Sequence, residues 1–130
     1  MKVWLAIGLA VATGWSSQAL ALNKRVISEL ERLSPEEELE QRCDIEALNR
    51  IEAARSDLSP NKVIAYSFAA PKVVGTTIDA NGAVFRSRET WYRLSYHCEA
   101  DSTELKVREF SFKIGKIVPR SDWDKYYLYP

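Results

Sequence analysis
The chain has one histidine, two cysteines and no excess of either charge, with 18 lysines and arginines against 18 aspartates and glutamates. Each scarcity removes a class of function. His97 and the two cysteines fall at no spacing that matches a zinc site. The cysteines stand 55 positions apart, which excludes a Cys-x-x-Cys redox pair. No serine lies in Gly-x-Ser-x-Gly, and neither a Walker A loop nor a dinucleotide-binding glycine fingerprint occurs. Balanced charge is not the footprint of a nucleic-acid binder, which carries a dense basic face. Internal repeats, low-complexity stretches and linkers are also missing. This inventory implies no cofactor and no metal.

The first residues are expected to be removed. Lys2 supplies a short positive region, Val3 to Gly14 is largely apolar, and Ala19-Leu20-Ala21 is the small-x-small pattern of a signal-peptidase site. The apolar run is shorter than the roughly 20 residues that span a bilayer. No cysteine follows it to accept a lipid. Residues 1–21 therefore read as a cleavable signal peptide and 22–130 as a single exported, periplasmic domain with no transmembrane segment. Losing Lys2 leaves 17 basic against 18 acidic residues in that domain.

Two helices are expected first. Val26, Ile27, Leu30 and Leu33 fall at helical spacing behind Asn23, a candidate N-cap. Ser34-Pro35 then ends one helix and starts another, because Ser34 with Glu37 forms a capping box and Pro35 suits the first helical position. Glu36, Glu37 and Glu38 sit where the helix dipole favours negative charge, so they read as dipole matching rather than a metal site. Leu39, Cys43, Ala47 and Ile51 form an apolar stripe as far as Ala54 or Arg55. Glu38–Arg42 and Glu46–Arg50 are i,i+4 pairs on its exposed faces.

After the turn at Ser59-Pro60-Asn61 the apolar period changes to two, the period of strands. Strands are expected over Lys62–Phe68, Val73–Ile78, Ala83–Ser87, Thr90–Cys98 and Glu104–Ile114. Asp79-Ala80-Asn81-Gly82 is read as a hairpin turn from its Asn-Gly pair, and Arg88-Glu89 as a tight connection. In the last strand Leu105 and Val107 are out of phase with Phe110, Phe112 and Ile114, which calls for a bulge near Arg108-Glu109. Gly115 and Pro119 close that strand. Ser121, with Asp124 three residues on, is read as capping a final turn that carries Trp123, Tyr126 and Tyr127.

Thr90 to Cys98 organises these elements. Tyr92, Leu94, Tyr96 and Cys98 lie on one face of a strand, and Trp91, Arg93, Ser95 and His97 on the other. Cys43 lies on the stripe of the long helix, so packing the two apolar faces brings the cysteines together as a disulfide. The expected fold class is α+β: N-terminal helices on one face of a small antiparallel sheet, one disulfide and a short C-terminal helical turn.

Chemistry is harder to find. Arg86, Trp91, Arg93 and His97 are the candidate ligand-binding residues, since a guanidinium beside an indole suits a carboxylate, a phosphate or a sugar ring. Alternation puts Arg86 out of register with Ser87, so not every residue of this stretch can share one face, whereas Trp91, Arg93 and His97 can. The plainer account is packing, with Arg93 covering Trp91 or the whole face lying beneath the segment around Trp123. No catalytic residue set is legible. Asp44, Glu46, Asp122 and Asp124 are the carboxylates to test for a hydrolase that needs no contiguous motif.

Gln41-Arg42-Cys43-Asp44, Phe85-Arg86-Ser87, Trp91-Tyr92-x-Leu94, Cys98 and Trp123-x-x-Tyr126 together resemble the alphaproteobacterial domain-of-unknown-function 930 family, over about Ser34 to Pro130. The resemblance implies an exported envelope protein and supplies no activity. The expectation is a non-enzymatic module that binds an envelope component or a protein partner. A saccharide or cell-wall hydrolase and an exported hydrolase inhibitor are the alternatives.

Overall fold
The computed structural model describes residues 23–102 and 106–130. The expected signal peptide lies outside the described residues, as do Glu104 and Leu105. Helix α1 spans Lys24–Leu30, shorter than expected, with the Asn23 side chain accepting from the Val26 amide at 3.0 Å. Helix α2 spans Pro35–Ala54, and its start is the one written in the sequence. The Ser34 hydroxyl accepts from the Glu37 amide while the Glu37 carboxylate accepts from the Ser34 amide. No described helix is long and apolar enough to cross a membrane.

Five antiparallel strands follow: β1 at Pro60–Ile64, β2 at Lys72–Val74, β3 at Thr77–Ser87, β4 at Thr90–Ala100 and β5 at Val107–Ile117. Their order is β1-β3-β4-β5, with β2 paired to the part of β3 that β1 leaves free. Helix α2 packs on one face of this sheet through Leu39, Cys43, Ala47 and Ile51, which meet Ile78, Ala80, Ala83, Phe85, Leu94 and Tyr96. The C-terminal segment after β5 covers part of the other face. There Val84 and Trp91 are buried with Val118, Trp123 and Leu128. We call this segment the strap. The sheet is thus a middle layer.

Cys43 and Cys98 are bonded at the centre of the helix–sheet core, with Cα atoms 6.1 Å apart and neither residue exposed. That separation lies within the range a disulfide accepts without moving either backbone.

Strand boundaries differ from the sequence reading in several places. Strand β1 ends at Ile64 rather than Phe68, because the chain turns away and lays Phe68 and Ala69 across β3. The expected strand over Val73–Ile78 is broken by a hairpin at Gly75-Thr76. Gly75 has φ +58°, the positive first central residue of a II′ turn. Asn81-Gly82 is therefore not a turn. It sits within β3 as a bulge, where the register shifts between Ala80↔Tyr96 and Ala83↔Leu94. The extra residue changes the alternation so that Ile78, Ala80, Ala83 and Phe85 all face α2. Glycine is needed here because a Cβ at Gly82 would overlap the Ala69 backbone, whose neighbour Phe68 donates its amide to the Gly82 carbonyl at 2.8 Å.

Strand β5 runs past its expected end to Ile117, and Gly115 lies inside it. The bulge expected near Arg108-Glu109 is present, with Glu99 opposite Glu109 and Ala100 opposite Val107. A second irregularity separates Ile114 from Ile117. The capping expected at Ser121 is not made. The chain forms two short 3-10 turns, Arg120–Asp122 and Asp124–Tyr126, without side-chain caps.

Two measurements follow from this architecture. The disulfide closes a 55-residue separation, which on the chain-entropy model is worth about 4 kcal/mol. Reduction should therefore lower the melting temperature by roughly 15–30 °C. A Cys43→Ser, Cys98→Ser variant should melt at the reduced temperature with or without reductant. The β3–β4 hairpin makes the second. Its two-residue loop, Arg88-Glu89, has φ +48° and +64°, the left-handed pair of a I′ turn without the residues that adopt it readily. Replacing Arg88→Asn and Glu89→Gly should stabilise the domain by about 1 kcal/mol or more in urea unfolding.

Candidate functional site
Folding pairs two of the four ligand-binding candidates, Arg86 directly opposite Trp91, and leaves His97 apart from them. Trp91 has no exposed surface, and its indole N–H donates to the Tyr129 carbonyl at 2.9 Å. Arg86 donates to Asn61 at 2.9 Å and places its guanidinium 5.5 Å from the Trp91 ring and 5.9 Å from the Tyr129 ring. Arg93 lies 3.8 Å over the Phe68 ring, which in turn contacts Tyr126 with centroids 4.0 Å apart. Both arginines thus hold aromatic rings of the strap and of the crossing segment against the sheet. Each such contact is worth about 0.5–1 kcal/mol at a partly exposed site. His97 lies at the uncovered end of the same face. Its Nδ1 is 2.6 Å from Asp79 Oδ1, and that bond raises its pKa above the ordinary histidine value, with the Asp79, Glu109 and Glu99 charges acting in the same direction.

A sizeable cavity lies elsewhere. It is a groove of about 770 Å³ along the β1 edge, with α2 on one side and the strap on the other. Glu40 and Asp44 line it from α2, Tyr66 from the turn after β1, and Tyr126, Tyr127 and Tyr129 from the strap. Lys62 spans the β1 side, donating to the Tyr129 hydroxyl at 3.2 Å. Ser67 Oγ, also of a lining residue, is buried without a hydrogen-bond partner among the described residues. A buried hydroxyl left unsatisfied costs about 1–3 kcal/mol.

Asp44 is the one carboxylate singled out from the sequence that reaches this groove. It is 7% exposed and accepts the Tyr96 hydroxyl at 2.8 Å. Burial pushes its pKa well above the usual carboxylate range. The Tyr96 hydrogen bond opposes that rise and the Glu40 charge adds to it. Burial, with the nearby Glu37 charge, also raises Glu40. The Tyr96 phenol, buried beside Asp44, is held in its neutral form well above the ordinary tyrosine value. Glu46 is spent on ion pairs with Arg42 at 3.1 Å and Arg50 at 3.0 Å, while Asp122 and Asp124 lie in the 3-10 turns.

Sequence reasoning missed the tyrosine wall because its members come from separate parts of the chain. Tyr66 falls inside the expected Lys62–Phe68 strand, yet it lies in the turn after β1 and is 62% exposed. Glu40 is four residues from Asp44, the i,i+4 spacing of one helix face, and that spacing was the available signal.

Together, fold and groove define a disulfide-stapled α+β domain with a tyrosine-lined groove along one edge of its sheet. Residues 30–128 match the model of the family Domain of Unknown Function (DUF930), and the chain belongs to that family. No curated protein and no solved structure matches it.

The Asp44–Tyr96 pair gives a pH test. A carboxyl raised above its unfolded value of about 3.9 binds more protons folded than unfolded, so stability falls as pH rises from there through the folded pKa. Asp44→Asn keeps an oxygen acceptor for the Tyr96 hydroxyl and removes the titration. The variant should gain on the wild type as pH rises above about 4 in urea unfolding. A gap that stays constant with pH would contradict the assignment.

Proposed function
We propose that this domain is a non-catalytic binding module of the cell envelope, and that its groove takes a saccharide-bearing envelope component. The observation that carries the reading is the tyrosine wall around the groove. Tyr66, Tyr127 and Tyr129 are 62%, 87% and 55% exposed. Tyrosine combines a flat apolar face with a hydroxyl, and it adds contact area at low conformational cost. A sugar ring offers the complement, an apolar CH face with polar hydroxyls at its rim. Glu40, Gln41, Asn61 and Lys62 supply donors and acceptors beside the rings. The disulfide and the expected signal peptide support an oxidising, exported setting.

Tyr127 adds a second support. It holds φ +56° and ψ +34°, the left-handed position after a helical turn that glycine normally takes. A side chain there costs about 1–2 kcal/mol. Such strain gathers at sites where the side chain has a task.

Glu40 and Asp44 favour one other reading, a carboxylate-dependent saccharide hydrolase. Their i,i+4 spacing puts both side chains on one face of α2 beside the groove, and a pair of carboxylates is the usual machinery of glycosidases. Against it, Asp44 is nearly sealed and committed to Tyr96.

Titration of the ¹⁵N-labelled protein with soluble peptidoglycan fragments separates these readings. Binding should shift amide signals in residues 62–67 and 125–129, and the fragments should remain intact by chromatography. Tyr127→Gly should raise stability by about 1 kcal/mol yet weaken binding roughly 2–10-fold. Cleavage abolished by Glu40→Gln would install the hydrolase instead. No shift at millimolar ligand would remove the saccharide reading.

A further inference from the structure
The strap leaves the His97 end of the sheet uncovered, and there three strands bring together residues that the sequence keeps far apart. Asp79 on β3 is the direct cross-strand partner of His97 on β4. Two residues on, Glu99 faces Glu109 of β5, and all these side chains share one face. We propose that His97, Glu99 and Glu109 form a divalent transition-metal site of the zinc class, with Asp79 as the residue that positions the imidazole.

Three features of the geometry support this. First, one ligand atom from each of His97, Glu99 and Glu109 lies within 4.8 Å of the other two. Zinc–nitrogen and zinc–oxygen bonds near 2.0–2.2 Å place tetrahedral ligands roughly 3.3 Å apart. Binding the ion requires the two glutamate side chains to close that difference by rotation. Second, the His97 Nδ1 is already engaged by Asp79 at 2.6 Å. In metal sites a carboxylate on one ring nitrogen fixes the tautomer and directs the other nitrogen to the ion. Third, like charges directly opposite one another on neighbouring strands destabilise a sheet. Glu99 and Glu109 are such a pair, and a cation between them turns repulsion into attraction.

The imidazole distinguishes this cluster from an ordinary acidic surface and selects the ion. Nitrogen with two carboxylates suits zinc, cobalt or nickel, whereas calcium and magnesium prefer oxygen alone. With three protein ligands, the fourth position stays open to water or to an outside group. The site stands apart from the tyrosine groove, and neither reading needs the other.

Chelator-stripped protein should be titrated with Zn²⁺ by calorimetry and with Co²⁺ by visible absorption. One ion per chain is expected, in the micromolar range or tighter. His97→Gln should weaken zinc at least tenfold, and Asp79→Asn about 10–100-fold. Glu99→Gln carries a signature that a purely structural cluster lacks. By relieving the facing charges it should raise the melting temperature of the metal-free protein while weakening zinc. Glu36→Gln, on the first turn of α2, should leave zinc affinity unchanged. Affinity weaker than about 1 mM, or zinc affinity unchanged in His97→Gln, overturns the proposal.

Discussion
The covalent contact between α2 and β4 is the constraint on which the rest of this fold depends. Cys43 and Cys98 can meet only if helix and sheet approach closely, and the surrounding residues are chosen for that approach. Ala47, Ala80, Ala83 and Ala100 are all buried in the same core as the bridge, and none projects beyond a methyl group. Larger side chains complete the packing, with Ile78 and Phe110 directly opposite Cys98 and Tyr96 two residues before it on β4. Close packing of this kind tolerates little change in volume. With α2 so fixed, Asp44 follows Cys43 into near-complete burial, and its carboxyl meets the Tyr96 hydroxyl. The groove wall on the helix side is therefore a consequence of the staple.

The strap imposes a second condition, because it turns a one-faced sheet into a middle layer. Its hold is largely aromatic and cationic. The Trp123 indole returns to the Val118 carbonyl at 3.0 Å, and the Val118 amide bonds the Trp91 carbonyl at 2.8 Å. Arg86 and Arg93 reach the strap and Phe68 from the sheet side. Because the strap stops short of His97, the same face is dry at one end and polar at the other. The four sequence candidates were divided by that coverage rather than by their strand positions.

Local chemistry was legible where no distant part of the chain intervened. The capping box at Ser34, the stripe along α2, the alternation of β4, the cysteine pair and the bulge at Arg108 all express short-range periodicity. The Asn81-Gly82 pair shows where that logic ends. Its backbone freedom serves not a turn but the passage of Ala69 over β3, a contact from a different segment. Conversely, Arg88-Glu89 forms the left-handed turn without the residues that favour it, held by the pairing of β3 with β4 on either side. The groove was illegible for a related reason. Its tyrosines belong to the ends of elements, and their convergence exists only after the sheet is covered on both sides.

Strand β5 forms one border of the sheet, with eleven residues along an outer side that no other strand in the sheet covers. A flat border of that length invites a strand of another molecule to add on, the first step towards aggregation. The irregularities near Arg108 and between Ile114 and Ile117 interrupt its spacing at both ends, and Lys113 and Lys116 place charge along the stretch between and beside them. A neighbouring chain would find only a few consecutive residues in step before the pattern broke. The kinks that reconcile this strand with its core thus also discourage the sheet from growing sideways.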